Sequence, residues 1–204
     1  MNHTKTPNMK KYPLANTSIA EDEVMSSRRR FLRNMAYSTL LTFGSPMLAK
    51  AATGHIASNK ALAFQNTHTG DKVKLTYFEH GNYVDDALQE INYVMRDFRT
   101  GDVHPIDPSL LDLLFDLKRT LAVNKPFHII SGYRSPFTNS MLRKQSHGVA
   151  KKSLHMLGMA IDIRIPGVDT RVVRNAALAM RQGGVGYYRS SDFVHLDTGP
   201  FRTW

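Results

Sequence analysis

The spacing of apolar residues predicts short strands and helices from residue 62 onward. Alternation with a period of two residues is typical of half-buried strands, and a period of three to four residues is typical of amphipathic helices. The first period predicts strands at 62–66, 72–78, 127–130, 159–165, 185–188 and 193–196. The second predicts helices at 84–98, from Asp107-Pro108 to Leu121, at 136–145, and from Asp169-Thr170 to Gly183-Gly184. Because these elements do not alternate regularly, we expect an α+β fold with a small antiparallel sheet and flanking helices.

Two of the predicted strands carry polar residues that share a face. Side chains alternate along a strand, so Asp162 projects from the face opposite to its isoleucine neighbours, and His195 shares a face with Asp197. His155 lies in the loop that enters the first of these strands, where Gly158 allows the backbone to bend. If the two strands lie side by side, the sequence predicts that His155, Asp162 and His195 converge.

Two imidazoles and one carboxylate are the ligand set of a catalytic zinc site, and they leave one coordination position for water. A histidine near a sheet edge is more often hydrogen-bonded within the protein, and an aspartate in a strand often caps a turn. A half-buried carboxylate without a partner is costly, however, which favours a metal ligand at Asp162. The sequence therefore predicts one Zn²⁺ per chain, held by His155, Asp162 and His195, and a metal-assisted hydrolysis.

The N-terminal region has the order of features of an export signal. Ser27-Arg28-Arg29-Arg30-Phe31-Leu32-Arg33 matches the twin-arginine motif, an apolar stretch runs from Met35 to Leu48, and Ala49-Lys50-Ala51 forms an A-x-A cleavage signal. The apolar stretch is too short and too interrupted for a membrane-spanning helix. We expect a signal peptide at 1–51, a flexible lead-in at 52–61 and a catalytic domain at 62–204, located in the periplasm after export by the twin-arginine machinery.

Composition excludes some chemistry and leaves the partner open. The chain has no cysteine, so it has no disulfide, thiolate metal site or cysteine nucleophile. Of the net charge of +10, a share of +5 lies in the first 51 residues, which hold eight Lys and Arg and three Asp and Glu. The remaining +5 suits an anionic polymer such as peptidoglycan, and the basic stripe with interleaved aromatics that nucleic-acid binding favours is not evident.

The motif Ser153-x-His155-x-x-Gly158-x-Ala160-x-Asp162, together with Val194-His195, resembles the D-Ala-D-Ala metallopeptidase group of zinc peptidases, which are related to lysostaphin-type enzymes and the hedgehog fold. Three further segments are similar to the twin-arginine-exported murein endopeptidase K branch of that group: Ser131 to Ser135, Gly148 to Ser153, and Gly183 to Tyr188. The resemblance spans roughly Leu62 to Trp204. It implies a zinc hydrolase of peptide cross-links in peptidoglycan, mainly between two diaminopimelate residues and less often between D-Ala and diaminopimelate.

The resemblance also suggests roles for four residues. Arg134 is expected to bind a substrate carboxylate or stabilise the oxyanion, although a structural arginine is an alternative. Ser153 is expected to bind substrate or orient His155, although it could be a plain turn residue. Asp192, three residues before His195, is the favoured general base, and Asp197 is its rival, which could instead only orient a ligand.

Other polar residues have no motif to support a role. Some relatives carry a histidine two residues before the last ligand, where this chain has Phe193. We expect the remaining histidines of the domain, His68, His80, His104, His128 and His147, to be surface or structural residues, and Tyr187 and Tyr188 to pack in the fold. A D-Ala-D-Ala carboxypeptidase, a non-catalytic zinc-stabilised peptidoglycan-binding domain and a metal-free polymer-binding protein remain open alternatives.

Overall fold

The structure is a computed structural model that describes residues 59–146 and 148–204. Within them, eight strands form one sheet in the order β3-β2-β1-β4-β5-β7-β6-β8. The strands are β1 (Lys60–Asn66), β2 (Lys72–Glu79), β3 (Asn82–Tyr83), β4 (Phe127–Ser131), β5 (Ala160–Arg164), β6 (Gly184–Tyr188), β7 (Phe193–Asp197) and β8 (Arg202–Thr203). The α+β class is confirmed. The sheet is mixed rather than antiparallel, because β1 pairs in parallel with β4 across an intervening helical crossover, and β8 returns in parallel with β6.

Within the same residues, four α-helices accompany the sheet: α1 (Asp85–Val94), α2 (Pro108–Thr120), α3 (Pro136–Gln145) and α4 (Thr170–Met180). This part of the chain also has two short 3₁₀ turns, at Leu154–Leu157 and Arg189–Ser191. Three of the helices begin with a side-chain cap, in which the oxygen of Asp107, Ser135 or Asp169 accepts a hydrogen bond from a backbone N–H of the first turn. The predicted starts of α2 and α4 are therefore confirmed. Within the described residues, no helix has the length and apolar character that a membrane crossing requires.

Two helices end earlier than the apolar pattern predicts. α1 ends at Val94 rather than at Phe98, because the carbonyl of Met95 accepts a hydrogen bond from the Tyr133 N–H and the Asp97 carboxylate accepts one from the Ser135 N–H. These contacts draw the following residues into a loop against the end of β4. α4 ends at Met180, where Arg181 adopts a left-handed conformation (φ 54°) before the Gly183-Gly184 pair is reached.

The N-terminal boundary also differs by two residues. β1 begins at Lys60, whereas the sequence predicts a lead-in at 52–61 and a first strand from residue 62. Lys60 belongs to the strand because it pairs with Phe78 of β2. The expected signal peptide at 1–51 and the first part of the lead-in lie outside the described residues.

The apolar core lies between one face of the sheet and helices α1, α2 and α4. Ile161 and Ile163 of β5 and Val194 and Leu196 of β7 are fully or almost fully buried in this core. Because side chains alternate along a strand, the residues between them face the other side of the sheet. The same packing that buries the isoleucines therefore presents Asp162, His195 and Asp197 on one common face.

Candidate metal centre

Asp162 and His195 are direct neighbours across the sheet. β5 and β7 are antiparallel, and their register places Asp162 opposite His195 and Ala160 opposite Asp197. The predicted side-by-side arrangement of these strands, with aligned polar faces, is confirmed. Both side chains are buried, so the sheet fixes a carboxylate and an imidazole within a few ångströms of each other.

His155 reaches the same point from the 3₁₀ turn that precedes β5. Gly158 ends this turn in the left-handed region (φ 67°), and a Cβ there would collide with the carbonyl oxygen of Pro105. The carbonyl of Gly158 accepts a hydrogen bond from the Asp107 N–H, and the carbonyl of His155 accepts one from the Arg134 N–H. The glycine in the motif is thus required by a close backbone approach that holds the turn, and with it His155, against the sheet.

Three side-chain atoms converge at this point: Nε2 of His155, Oδ1 of Asp162 and Nδ1 of His195. Nδ1 of His195 lies 2.8 Å from Oδ1 of Asp162, and Nε2 of His155 lies 3.1 Å from Nδ1 of His195. Nε2 of His155 lies 3.3 Å from Oδ1 of Asp162. This group of three buried residues has the composition and spacing of a metal site.

The remaining ring nitrogens determine which atoms carry hydrogen. Nδ1 of His155 lies 2.8 Å from the carbonyl oxygen of Gly132, and Nε2 of His195 lies 3.0 Å from Oδ2 of Asp197. A carbonyl and a carboxylate only accept hydrogen bonds, so both of these nitrogens donate. In the neutral form of each ring the other nitrogen carries a lone pair, directed toward the other ring and toward Asp162. Three buried acceptors then face one another, an arrangement that a proton or a metal cation between them would satisfy.

The three donor atoms fit a zinc ion. Zinc bonded to nitrogen and oxygen at about 2.0–2.1 Å in tetrahedral geometry places its ligand atoms about 3.3 Å apart. The observed separations of 2.8, 3.1 and 3.3 Å lie close to that spacing. Zinc histidines also normally donate their other N–H to a carbonyl or carboxylate, as both rings do here.

The electrostatics of the cluster favour a positive charge at its centre. Burial by itself lowers the pKa of His195, but its hydrogen bonds to Asp162 and Asp197 outweigh that effect and raise the pKa. Burial by itself raises the pKa of Asp162, but the adjacent His155 and His195 outweigh it and hold the pKa of this carboxyl well below its ordinary range. Asp162 is therefore an anion in the interior, as a metal ligand requires.

Asp197 contacts Nε2 of His195, the ring nitrogen that is not among the three converging atoms. Its carboxylate accepts hydrogen bonds from the Gly184 and Gly199 backbone N–H groups, and Arg202 donates to both of its oxygens at 3.0 and 2.6 Å. Its side chain has no exposed surface. This geometry orients the imidazole of His195, and it leaves Asp197 no access to a substrate.

The converging atoms lie in an open cleft of about 620 Å³. Three cationic side chains line it, Arg134, Lys152 and Arg202, and Asp162 is its one carboxylate among the described residues. Nε of Arg134 is buried and has no hydrogen-bond partner within the described part of the chain, while its Nη2 lies 3.7 Å from Oδ2 of Asp162. Burial lowers the pKa of this guanidinium, and the charge of Asp162 partly offsets the effect. Arg134 thus places a buried guanidinium beside the three converging residues.

Ser153 also lines the cleft, at the start of the 3₁₀ turn that carries His155. Its hydroxyl does not cap that turn, so the side chain remains available to a ligand in the cleft. Arg134 and Ser153, the two residues expected to contact substrate, are therefore brought to the same cavity as the three expected metal ligands.

Asp192 is not brought to that cavity. Its carboxylate accepts a hydrogen bond from the Thr170 hydroxyl at 3.1 Å, lies 3.7 Å from Nη1 of Arg164, and is 63% exposed. Ser191 and Phe193 line the cleft, but Asp192 between them does not. The cause is local: Asp192 ends the second 3₁₀ turn in a left-handed conformation (φ 52°), which points its side chain away from that of its neighbours. The structure gives no geometric support to Asp192 as a general base.

The other residues considered from the sequence lie in different surroundings. His68 stacks on Phe98, His104 stacks on Tyr133, and His128 is paired across the sheet with Arg164. His80 lies in the turn before β3, and His147 lies outside the described residues. Tyr187 packs against the core as expected, whereas Tyr188 lines the cleft.

A family model described as peptidoglycan L,D-endopeptidase MepK matches residues 55–204. The chain belongs to this family. A protein of Escherichia coli (strain K12) named peptidoglycan L,D-endopeptidase MepK is 47% identical over 145 residues, which cover 71% of this chain and 80% of that protein. A protein of Haemophilus influenzae named probable peptidoglycan L,D-endopeptidase MepK is 40% identical over 167 residues, or 80% of this chain and 90% of that protein.

Membership of the MepK family confirms the resemblance seen in the motifs and the expectation of a hydrolase of the peptidoglycan endopeptidase type. The matched residues include the three converging side chains, Arg134 and Ser153. The signal peptide expected at 1–51 lies outside the match to the family model.

Three contributors to the site were not predicted from the sequence. The carbonyl of Gly132 fixes the ring of His155, Arg202 fixes Asp197, and the indole of Trp204 lines the cleft beside His195. A backbone carbonyl leaves no signal in a sequence. Arg202 and Trp204 could have been considered because they follow Asp197 closely, in the segment from Gly199 to Trp204. No motif in the sequence singled them out.

Proposed function

We propose that this protein is a zinc-dependent endopeptidase that hydrolyses peptide cross-links of peptidoglycan. The observation that carries the proposal is the convergence of three buried lone-pair donors, on His155, Asp162 and His195, in an open cationic cleft. A structural zinc ion normally has four protein ligands and is closed to solvent. Three protein ligands in an open cleft leave one coordination position available to water or substrate.

Each residue of the cleft has a distinct part in this proposal. His155, Asp162 and His195 would hold the ion, and Asp197 would keep His195 in the tautomer that leaves Nδ1 free to bind it. A zinc ion bound there would polarise the scissile carbonyl and lower the pKa of a water molecule. Arg134, whose guanidinium lines the cleft, would bind a substrate carboxylate or the developing oxyanion, and Ser153 would hydrogen-bond the peptide.

The charge of the cleft supports an anionic peptide as substrate. Arg134, Lys152 and Arg202 line the cleft, and its one carboxylate among the described residues, Asp162, would be neutralised in part by the metal. Arg202 is paired with Asp197, so Arg134 and Lys152 would supply the charge that attracts a substrate. Peptidoglycan stems carry free carboxylates near their cross-links. The names of the relatives support an L,D-endopeptidase, and we propose that the link between two diaminopimelate residues is the main substrate and the D-Ala-to-diaminopimelate link a lesser one.

The same proposal includes the location. Residues 1–51 would direct export through the twin-arginine machinery to the periplasm, where the substrate is found, and the domain that follows would act there. Export in the folded state would allow the metal site to be filled before passage.

A digest of purified muropeptides tests the function. We expect the wild-type protein to convert cross-linked dimers to monomers, and His155→Ala to reduce this conversion at least about a thousandfold, since no ion is then held. His128→Ala, which removes a histidine outside the cleft, serves as the matched control and should retain wild-type cleavage. Mass spectrometry of the products identifies the bond that is cut.

Other results of the same digest would identify the rival functions. Stems shortened by one residue, without loss of dimers, would show a carboxypeptidase. Binding to peptidoglycan without any cleavage, together with unfolding on chelation, would show a zinc-stabilised binding domain. Either result would overturn the proposal.

A further inference from the structure

Trp204 is fixed at the edge of the cleft by its backbone. β8 pairs with β6 in parallel, with Arg202 opposite Gly184 and Thr203 opposite Val185. The pairing continues at Trp204, whose N–H donates to the carbonyl of Val185 and whose carbonyl accepts from the Tyr187 N–H. The tryptophan is therefore held beside Gly186, which is itself the cross-strand neighbour of His195.

Gly186 provides the surface on which the indole lies. A Cβ built at this glycine would approach three indole atoms of Trp204 to 2.7–2.8 Å, closer than real Cβ contacts. The φ angle of Gly186 is not in the left-handed region, so the backbone itself does not require glycine here. Close contact with the indole is the reason that the structure shows for a glycine at this position.

The indole is held on two more sides and still faces solvent. Its Nε1–H donates to the Tyr188 hydroxyl at 2.9 Å, and the Arg202 guanidinium lies 5.1 Å from the ring centre. Nevertheless, Trp204 is 50% exposed, and the exposed part lines the cleft. A large apolar side chain that is held in place but half-exposed can bury its remaining surface against a ligand. Because its conformation is already restricted, binding costs little conformational entropy.

We propose that the indole of Trp204 is a binding surface for the peptide part of the substrate, next to the scissile bond. The inference rests on the proposed function. The ring centre of Trp204 lies 5.2 Å from that of the metal ligand His195, and an extended residue spans about 3.3–3.6 Å, so a group on the indole lies within about two residues of the bond that is cut. At a cross-link this group is an aliphatic amino-acid side chain, because the glycan is at the other end of the stem.

Intrinsic fluorescence gives a direct test, since Trp204 is the one tryptophan of the chain. The probe is the monomeric disaccharide-tetrapeptide. It is a product of the proposed reaction and contains no cross-link, so the zinc-loaded protein does not cleave it during the titration. We expect saturation with this probe, and with the free tetrapeptide, to shift the tryptophan emission to shorter wavelength, and the free disaccharide to leave it unchanged. An unchanged emission at a concentration where calorimetry shows binding would overturn the inference, as would a shift caused by the disaccharide alone.

Kinetics of variants give an independent test. Trp204→Ala should raise the KM for cross-linked dimers about three- to tenfold, the range expected for loss of an aromatic contact, with kcat changed less than about twofold. Trp204→Phe should recover part of the loss. Gly186→Ala should raise KM in a similar way by displacing the indole, and it should add nothing in the Trp204→Ala background. Phe201→Ala, which removes an aromatic of the same segment outside the cleft, should leave KM unchanged.

The outcomes separate this inference from the proposed function. If Trp204→Ala lowers kcat and zinc content but not KM, the indole supports His195 rather than substrate, and the inference fails while the function stands. If the wild-type protein cuts no dimers, the proposed function fails. Should Trp204→Ala not fold, the emission of the wild-type protein still decides the question.

Discussion

Two clusters of polar side chains within the described residues differ in burial and in whether donors and acceptors balance. The first joins the N-terminal strands to α2. Asp112 accepts hydrogen bonds there from Lys60 at 2.7 Å, from the Tyr77 hydroxyl at 2.9 Å and from the Tyr83 hydroxyl at 2.8 Å. The second is the group of His155, Asp162 and His195, in which three acceptors face one another.

The pKa shifts follow from this difference. In the Asp112 cluster, burial alone would raise the pKa of the carboxyl, but the donors from Lys60 and the two tyrosines hold it below the ordinary value. The same contacts, together with burial, raise the pKa of Tyr83 to about 12. Every polar group in this cluster has a hydrogen-bond partner.

The comparison shows how a structural polar cluster is distinguished from a functional one. Proximity is common to both, but the Asp112 side chain is 30% exposed, whereas His155, Asp162 and His195 are buried. A cluster whose hydrogen-bonding capacity is satisfied within the protein stabilises the fold, whereas one in which acceptors converge indicates a cationic ligand. Four predictions follow from the contrast, in order of decreasing effect.

Zinc should stabilise only the protein whose second cluster is intact. At zinc a hundredfold above its Kd, preferential binding to the folded state contributes about 2.7 kcal/mol. This corresponds to a rise in Tm of about 5–10 °C for a domain of this size. Asp162→Ala should abolish the zinc-dependent rise, and Asp112→Ala should retain it. Thermal unfolding with zinc and with a chelator measures both, and equal shifts in the two variants would remove the distinction between the clusters.

Asp197→Asn should weaken zinc binding about 10- to 100-fold, because the neutral amide no longer polarises the imidazole of His195 and loses its ion pair with Arg202. Competition with a chromogenic chelator gives the affinity. Asp169→Asn removes the same charge from an exposed helix cap and is the matched control. If Asp197 were instead the general base, its variant would lose turnover while keeping full zinc affinity.

Asp112→Asn should lower the free energy of unfolding by about 1–2 kcal/mol at neutral pH, because the buried Tyr77 hydroxyl and the partly exposed Lys60 and Tyr83 lose their charged acceptor. The folded pKa of Asp112 lies below its ordinary value of 3.8, so this contribution is present above about pH 4 and is lost as the pH falls further. The difference in free energy of unfolding between the wild-type protein and the variant should therefore disappear at acidic pH. Urea unfolding at several pH values tests this, and a pH-independent difference would contradict it.

Asp192→Asn should change cleavage of dimers by less than about threefold, since its carboxylate contacts Thr170 and Arg164 outside the cleft and a general base contributes about a hundredfold or more. Steady-state rates on muropeptide dimers provide the measurement. A loss of a hundredfold or more with unchanged zinc content would restore Asp192 to the role of base that its sequence position suggests.

Much of the fold could be predicted from local pattern. The strands of the site and the starts of α2 and α4 were recognised because period-two alternation and side-chain caps are properties of neighbouring residues. The early end of α1 could not be predicted in this way, because it depends on Tyr133 and Ser135, which bind Met95 and Asp97 just after the helix but lie more than 30 residues further along the chain. β3 and β8 have two residues each, too few for a periodicity to show.

The sequence by itself determined that His155, Asp162 and His195 could meet, because a strand places alternate residues on one face and the motif supplies a glycine where the chain must turn. Only the tertiary structure decided what surrounds them: that Asp197 supports His195, that Asp192 faces away, and that Arg202 and Trp204 complete the cleft. The physical reason is that periodicity follows from local backbone geometry, whereas the partner of each polar atom depends on which segments the fold brings together.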